Sequence, residues 1–253
     1  MSALPQNSDS SGSLCISTPI SEKELHIWRI DFVNSGQQTD EFYKFLSEDE
    51  RARADSFFQK CHRENFILMR GALRKIIGMY LVRNPSDIEF SYNEYGKPSL
   101  KKGQGSLYFN VSHSGDLGLC VICKDGEVGI DIEKILEIDN FESIAAEFFS
   151  PNEYAILKRA LPVHKLATFY QIWTRKEAIV KAIGRGLSYP LKSFDAISGG
   201  GLVVIDSVAQ DAPIRLNLME LEIKDGYLAA IAYGKHPKET QLYRLWSAAY
   251  LQL

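Results

Sequence analysis

The sequence has few cysteines and no long apolar stretch. Only four of its 253 residues are cysteine, and the pair with C-x-x-C spacing, Cys120 and Cys123, lies inside the apolar run LGLCVIC. Cysteines in such a run are typical of a buried strand, so neither a disulfide scaffold nor a cysteine metal site is expected. No apolar segment approaches the roughly 20 residues that span a bilayer. The first 22 residues lack the basic and apolar regions of a signal peptide, and we expect a cytoplasmic protein that does not contact a membrane.

Two common catalytic motifs are absent from the sequence. The chain contains neither a Gly-rich P-loop nor a G-x-S-x-G nucleophile elbow. In the segment FNVSHSG, Ser112 and His113 are neighbours on a predicted strand, so their side chains point to opposite faces and do not form a nucleophile–base pair. A Ser-His-Asp hydrolase is therefore disfavoured. From its local sequence, His113 is either a structural histidine or an imidazolium that binds phosphate.

Neither sign of charge dominates the chain as a whole. The formal net charge is −3, which gives no indication of a nucleic-acid or membrane binder. Residues 51–83 are locally basic, since they hold eight lysine and arginine residues against two acidic ones. A solvated helix face is the common explanation for such a run, and a positive field that attracts a polyanion is the alternative.

Short strands and helices alternate along the chain. Residues 1–22 are rich in Ser, Asn, Gly and Pro and are predicted to form a disordered tail. The S-x-x-E sequence of Ser47 and Glu50 predicts a capping box at the start of a helix. Apolar residues with a period of 3.6 predict helices, and β-branched and aromatic runs bounded by turn residues predict strands. The predicted elements are a strand at 25–32, a helix at 64–81, strands and hairpins across 88–135, helices across 141–186, and strands across 218–233.

Three short segments occur twice in the same order, which indicates an internal duplication. The recurring segments are LSEDE (46–50) as FSPNE (149–153), KIIG (75–78) as KAIG (181–184), and LGLCVI (117–122) as GYLAAI (226–231). We therefore predict an α+β fold in which two similar halves, residues 23–125 and 126–253, form an intramolecular pseudo-dimer. The cleft between such halves is the natural place for a ligand. A chain that already contains both halves is expected to act as a monomer.

The segment VGIDIE places two carboxylates on one side of a strand. Asp131 and Glu133 point the same way, about 6.6 Å apart along the strand, while Ile130 and Ile132 point into the core. A hard divalent cation such as Mg²⁺ would relieve the repulsion between the carboxylates, because it takes one or two of them together with phosphate oxygens and water. A solvated polar face on an edge strand is the more common explanation of a lone D-x-E pair.

The segment WTRKEAIVKAIGRG carries three charged residues that bear on this choice. Lys176 lies in the middle of the hydrophobic side of the predicted helix, where an unpaired charge is costly. Glu177 and Lys181 are four apart and are therefore neighbours on one face. An exposed ion pair would explain those two residues, but it would not explain Lys176. A third carboxylate beside two lysines is what a metal-bound diphosphate site requires, and we expect Lys176 to face a phosphate.

Taken together, these segments resemble a known family. YGKP, FNVSHS, GIDIE and WTRKEAIVKAIGRGL stand in the order and at the separations seen in the 4′-phosphopantetheinyl transferases of the long, pseudo-dimeric (Sfp-like) class. The resemblance covers roughly residues 25 to 235. It implies transfer of the phosphopantetheine arm of coenzyme A to a serine of an apo acyl or peptidyl carrier protein, with release of adenosine 3′,5′-bisphosphate. It also implies Mg²⁺, or Mn²⁺ in its place, as the cofactor.

The resemblance assigns roles to particular side chains. Mg²⁺ on the CoA diphosphate would be held by Asp131, Glu133 and Glu177. The adenosine end and its 3′-phosphate would be contacted by Lys97, Ser112 and His113. The diphosphate would be contacted by two helix lysines, Lys176 and Lys181.

The basic segment departs from the pattern of the family. Relatives often carry two basic residues, three apart, in the helix after the S-x-x-E turn, where they grip the 3′-phosphate. Here the first of these positions is Glu50 and the second is Arg53. We therefore expect Arg53 to bind the 3′-phosphate, with the neighbouring Arg51 as the alternative.

A mechanism and two rivals follow from these assignments. A carrier serine would attack the β-phosphorus of CoA, with Glu177 receiving its proton directly or through water. The transition state and the leaving bisphosphate would be stabilised by Lys181 and Lys176. One rival is another phosphoryl or nucleotidyl transferase, which would consume a nucleotide instead of CoA. The other is a CoA-binding or polyanion-binding module without catalysis, although three clustered acids argue against a mere binder.

Overall fold

The structure, a computed structural model, describes residues 20–22, 24–32, 36–205, 213–234 and 242–247. The predicted tail, residues 1–22, lies outside the described residues except for its last three. The strands in chain order are β1 (Glu24–Asp31), β2 (Phe90–Tyr92), β3 (Pro98–Leu100), β4 (Tyr108–Ser114), β5 (Leu117–Cys123), β6 (Val128–Lys134), β7 (Leu202–Ile205), β8 (Ile214–Leu221), β9 (Tyr227–Tyr233) and β10 (Leu242–Ser247). The α-helices are α1 (Gly36–Phe45), α2 (Glu48–Asp55), α3 (Lys60–Leu81), α4 (Phe141–Phe148), α5 (Pro151–Arg159) and α6 (Pro162–Ile183).

Most of these strands belong to two four-stranded sheets. The first sheet has the order β10-β1-β5-β4, and the second has the order β6-β9-β8-β7. The remaining two strands, β2 and β3, form an antiparallel hairpin around the YGKP turn. Helices and sheets thus combine in an α+β fold with two sheet-containing halves, which confirms the predicted fold class.

Each four-stranded sheet is covered on one face by a long helix. The apolar stripe of α3 packs on the first sheet, where Ile76 and Trp28 belong to one buried cluster. In the second sheet, α6 packs against β6 and β9, with Ala182 and Ala230 in one buried cluster. The opposite faces of the two sheets share a third cluster that includes Ile27 and Ile130. The two halves are therefore joined through an apolar core.

The duplication seen in the sequence is visible in local structure. Ser47 and Glu50 form a capping box at the start of α2, and Ser150 and Glu153 form the same box at the start of α5. The long helices α3 and α6 have 22 residues each. Each is followed by a residue with a left-handed backbone conformation, Val82 after α3 and Gly184 after α6. The two halves therefore use the same helix-start chemistry and the same helix length.

Polar side chains of β4 hold the edge of the second sheet against the first. Alternate residues of a strand point to the same side, and Asn110, Ser112 and Ser114 of β4 all bond to β6. Asn110 Oδ1 accepts a hydrogen bond from the backbone N–H of Ile130 at 2.9 Å, and Ser114 Oγ accepts one from that of Lys134 at 3.1 Å. The contact of Ser112 with β6 belongs to the candidate site described below. The junction between the halves is thus the line along which β4 and β6 meet.

Three elements differ from the sequence-based expectation. Helix α1 and strands β7 and β10 were not predicted. Strand β10 pairs in parallel with β1, Leu242 opposite Glu24, so this part of the predicted C-terminal half, residues 126–253, lies in the first sheet. No described helix is both long and apolar enough to cross a membrane.

Candidate active site

The centre of the site is a buried aspartate on β6. Ile130 and Ile132 are fully buried on one face of the strand, as predicted, and Asp131 is 2% exposed on the other. Asp131 Oδ1 accepts hydrogen bonds from Ser112 Oγ at 2.8 Å and from Lys181 Nζ at 2.6 Å. Burial raises the pKa of Asp131, and the charge of Lys181 opposes that shift. Residues from β4, β6 and α6 therefore meet at one carboxylate.

The close approach of α6 to β6 depends on a glycine. A Cβ atom at Gly129 would overlap the carbonyl oxygen of Ala178 and the backbone nitrogen of Ala182. Because side chains alternate along the strand, Gly129 and Asp131 are on the same face. The missing side chain at Gly129 lets the helix backbone lie against β6, and this brings Lys181 within reach of Asp131. The glycine of GIDIE is thus explained by packing.

Glu133 is the second acid on the same face of β6. Its Oε2 accepts a hydrogen bond from Ser114 Oγ at 2.7 Å. Burial raises the pKa of Glu133, Ser114 opposes the shift, and the charge of Asp131 adds to it. Sequence reasoning missed Ser114, although its place two residues after Ser112 predicts the same strand face.

Glu177 supplies the third acid, from the face of α6 that also carries Lys181. Its pKa is raised to about 7, mainly by burial and further by the charge of Asp131, while Lys181 opposes the shift. Glu133 also raises this pKa, so the three carboxylates interact with one another. An acid with this pKa is part protonated and part ionised at neutral pH.

The donor set of this cluster suits a hard divalent cation. Among the described residues, Asp131 Oδ2 and Glu177 Oε1 are buried without a hydrogen-bond partner. Carboxylate oxygens are the ligands that Mg²⁺ prefers, and a cation would relieve both the repulsion and the missing hydrogen bonds. Within the same part of the chain, no three acidic, histidine or cysteine side chains stand close enough together to hold a metal ion by themselves, so phosphate oxygens and water would have to complete its coordination. In this structure the ammonium of Lys181 supplies the positive charge next to Asp131.

The structure corrects the expectation for Lys176. Its ammonium is fully buried, 2.6 Å from Glu153 Oε2, and donates a hydrogen bond to the backbone oxygen of Phe194 at 2.9 Å. Lys176 and Glu177 are adjacent in the helix, about 100° apart around its axis, so they face different surroundings. The hydrophobic stripe correctly indicated burial, but the counter-charge is a glutamate of α5 and not a phosphate.

Lys97 lies between the halves, away from the three carboxylates. Its Nζ donates hydrogen bonds to the backbone oxygens of Val128 at 3.1 Å and of Ala182 at 2.8 Å. Burial lowers the pKa of Lys97 to about 8. The nearby Asn93 side chain donates to the backbone oxygen of Gly184 at 2.7 Å. The YGKP turn of the first half is thus tied to the end of α6.

Two cavities flank this turn. One of about 200 Å³ is lined by residues that include Tyr95 and Arg185, and one of about 230 Å³ is lined by residues that include Lys97 and Tyr108. Both cavities are lined by residues of the YGKP turn region and by residues of the second half. Neither of these two cavities is lined by the three carboxylates, so open space and the acidic cluster are separate parts of the junction.

His113 and the basic segment belong to the first half. The ring of His113 is edge-on to that of Phe32, with centroids 6.0 Å apart. Burial lowers the pKa of His113, and the charge of Lys181 adds to that shift, so both favour the neutral imidazole. The guanidinium of Arg53 lies 5.3 Å from the centre of the Phe66 ring, while Arg51 donates to the backbone oxygen of Lys44 at 2.9 Å. Of the two arginines, Arg53 has no described hydrogen bond to a backbone carbonyl.

Family models and curated relatives match this chain on both sides of the β4–β6 junction. The model of the 4′-phosphopantetheinyl transferase superfamily matches residues 127–232, and that of the N-terminal domain of 4′-phosphopantetheinyl transferase matches residues 33–124. The chain is 36% identical over 220 residues to the 4′-phosphopantetheinyl transferase HetI of Nostoc sp. (strain PCC 7120), covering 85% of this chain and 91% of HetI. It is 32% identical over 204 residues to the 4′-phosphopantetheinyl transferase Sfp of Bacillus subtilis (strain 168), covering 80% of this chain and 88% of Sfp.

These matches extend over both halves of the fold. The chain belongs to the 4′-phosphopantetheinyl transferase superfamily. Within it, the protein is an enzyme of the long, Sfp-like class that catalyses phosphopantetheinyl transfer.

Proposed function

We propose that this enzyme transfers the 4′-phosphopantetheine arm of coenzyme A to a serine hydroxyl of an apo acyl or peptidyl carrier protein. Adenosine 3′,5′-bisphosphate is the other product. The observation that carries the proposal is the contact at the β4–β6 junction, where Lys181 Nζ lies 2.6 Å from Asp131 Oδ1 beside two further acids. A cation and clustered carboxylates are the groups that a metal-bound diphosphate needs.

Three residues would hold Mg²⁺, or Mn²⁺ in its place: Asp131, Glu133 and Glu177. When bound, the ion would neutralise charge on the diphosphate of CoA. The fit rests on the buried oxygens of Asp131 and Glu177 that lack partners in the described part of the chain. Ser112 and Ser114 would orient the two acids of β6, because each hydroxyl donates to one of them.

Proton transfer is assigned to Glu177. Its Oε1 is buried without a hydrogen-bond partner among the described residues, so the carboxylate has an oxygen with which to accept a proton. It would accept the proton of the carrier serine, directly or through water, as the serine oxygen attacks the β-phosphorus. The bond from that phosphorus to the bridging oxygen breaks, and the bridging oxygen leaves with the bisphosphate. Lys181 would stabilise the negative charge that develops on this leaving group.

The adenosine end of CoA is assigned to the first half and the cavities beside the YGKP turn. Lys97 and His113 would contact the adenosine and its 3′-phosphate together with Ser112. Arg53 would bind the 3′-phosphate, since Arg51 is held by backbone oxygens. Binding of a phosphate would favour the imidazolium form of His113, whose pKa is otherwise lowered.

The proposed setting is a monomer in the cytoplasm. Both halves of the junction belong to one chain, so the site needs no second copy to be complete. Cys61, Cys120 and Cys123 are free, which suits a reducing compartment.

The direct test is intact-mass spectrometry of an apo carrier protein incubated with the enzyme, CoA and Mg²⁺. A mass gain of one phosphopantetheine, lost when EDTA is added, is the expected result. A gain that persists in EDTA would overturn the metal assignment. Consumption of a nucleotide without modification of any carrier would instead favour a different phosphoryl or nucleotidyl transferase.

A further inference from the structure

A buried ion pair lies directly behind the site. Lys176 and Glu153 are both 0% exposed, with 2.6 Å between Nζ and Oε2. The same ammonium lies 4.2 Å from the centre of the Phe194 ring. Removing two charges from water costs free energy that their attraction offsets only in part, so a buried ion pair is weak evidence for stability. A role in placing other groups is the better explanation for its presence here.

The first half contains a similar arrangement, but there the acid has two cations, since Arg70 Nε lies 3.4 Å from Glu50 Oε1. Arg74 of α3 lies 2.6 Å from Glu50 Oε2, and both side chains are buried. Its guanidinium donates to the backbone oxygen of Ile88 at 2.6 Å and lies 5.3 Å from the centre of the Phe90 ring. In both halves the acid is the last residue of a capping box, and the cation comes from the following 22-residue helix. The duplicated pair thus serves to join a short helix to a long one.

The acid of the second pair is itself held in place. The carboxylate of Glu153 accepts hydrogen bonds from the backbone N–H groups of Ser150 and Ala196, each at 2.7 Å. Lys176 is therefore attached to a point fixed by the start of α5 and by the segment that follows Phe194. A helix attached in this way resists rotation about its axis, and rotation would carry Glu177 and Lys181 away from β6.

We infer that Lys176 is a positioning residue whose ion pair with Glu153 fixes the rotation of α6, so that Glu177 and Lys181 face Asp131. The inference rests on the proposed function, because Glu177 is assigned there as base and metal ligand. Lys176 makes no contact with the substrate in this account. The family resemblance instead implies that Lys176 contacts the diphosphate.

The test compares Lys176→Gln with the matched variant Arg74→Gln. Each removes the cation bonded to Oε2 of the capping-box glutamate and keeps a hydrogen-bond donor, and in the first half Arg70 remains beside Glu50. Both variants are expected to unfold at a lower temperature than the wild type. Only Lys176→Gln is expected to lower kcat for carrier modification, by roughly 10- to 100-fold, because small misplacements of reacting groups have effects of that size. Its KM for CoA should stay within about twofold of the wild-type value, because uniform binding is unchanged. Lys176→Arg should recover part of the lost kcat.

A second measurement does not depend on turnover. Mn²⁺ binding to the CoA-free protein, followed by the EPR signal of the free ion, should weaken in Lys176→Gln and stay unchanged in Arg74→Gln. If Lys176→Gln does not fold, Phe194→Leu weakens the support of the ammonium and is compared with Phe90→Leu in the same way.

Three results would overturn the inference. A rise in the KM for CoA with unchanged kcat would place Lys176 on the substrate. Equal changes of kcat and Mn²⁺ affinity in the two halves would make both pairs general supports of the fold. Unchanged Mn²⁺ affinity together with unchanged kcat in Lys176→Gln would show that Glu177 is placed without the pair. By contrast, absence of transfer by the wild type overturns the proposed function, and the Mn²⁺ comparison then still tests the placement of Glu177.

Discussion

The two long helices carry different residues at the same places relative to their buried cations. Arg74 is followed by Lys75, which is paired with Glu41 at 3.0 Å. Lys176 is followed by Glu177, whose Oε1 is buried without a partner among the described residues. Four residues after Lys75, Met79 packs against the apolar core. Four residues after Glu177, Lys181 binds Asp131. Lys75 of α3 has its charge paired within the fold, whereas Glu177 of α6 leaves a carboxylate oxygen available to a ligand.

This difference shows how a duplicated scaffold supports a single site. Both halves keep the capping box, the buried ion pair and the long helix, which are features of the shared scaffold. The lysine and the glutamate of the long helices that interact with Asp131 are both on α6, at Lys181 and Glu177. An unsatisfied buried oxygen costs free energy, and such a cost is typical of positions retained for function.

The largest expected effect comes from removing the acids that this comparison singles out. Glu177→Gln and Asp131→Asn should each lower kcat by roughly 10²- to 10⁴-fold, since the first removes the proposed general base and a metal ligand and the second removes a metal ligand. Intact-mass assays of carrier modification measure the rate, and circular dichroism checks the fold. Lys75→Gln, which changes the residue directly after the buried cation of α3, should keep kcat within about threefold. Near-normal turnover in Glu177→Gln would contradict the assignment.

The raised pKa of Glu177 predicts a pH dependence of stability. The folded state binds this proton more tightly than the unfolded state, because the pKa is about 7 in the fold against an ordinary glutamate value of 4.5. Stability should therefore fall as the pH rises from about 4.5 to about 7, by on the order of 3 kcal/mol at most for this group. Urea unfolding in EDTA at pH 5 and pH 8 measures it. The loss between the two pH values should be smaller in Glu177→Gln, and an equal loss would refute the shift.

Gly129→Ala tests the close contact between β6 and α6. The added Cβ would meet backbone atoms of Ala178 and Ala182, which cannot move aside like a flexible side chain. The expected cost is about 2 kcal/mol of unfolding free energy, the scale of overpacking in a dense core, with lower kcat because Lys181 moves. Thermal and urea unfolding measure the cost. Retention of wild-type stability would mean that α6 shifts freely.

The smallest effect is expected at the hydroxyl that orients Glu133. Ser114→Ala removes the donor to Glu133 and the acceptor for the backbone N–H of Lys134, which should cost about 1 kcal/mol. Ser91→Ala is the matched control on the exposed hairpin, where Ser91 and Ser99 bond to each other, and it should stay within about 0.5 kcal/mol of wild type. Equal effects of the two variants would show that Ser114 does not orient Glu133.

Most of the fold could be predicted from local patterns. The capping boxes, the long helices and strands such as β4, β5 and β6 depend on residues close together in the chain, so their signals are complete in the sequence. Helix α1 was missed because its segment, GQQTDEFYKF, has only a short apolar pattern. Strand β10 was missed because its partner, β1, lies at the other end of the chain.

The candidate site was predicted in part, for a related reason. Strand alternation and helix spacing put Asp131 beside Glu133 and Glu177 beside Lys181, as the structure also has them. The same patterns showed that Lys176 is buried, but they did not reveal its partner. Glu153 belongs to another helix, so only the packing of α5 on α6 identifies it.

The sequence by itself determined the α+β class, the repeated helix starts and the residue types of the site, because short-range sterics and apolar periodicity act on neighbouring residues. The tertiary structure decided which charges meet. It paired Lys176 with Glu153 and Lys181 with Asp131, and it set Ser112 and Ser114 against the acids of β6. Electrostatic contacts depend on distance in space and on burial, and both are fixed only when the two sheets and α6 have packed together.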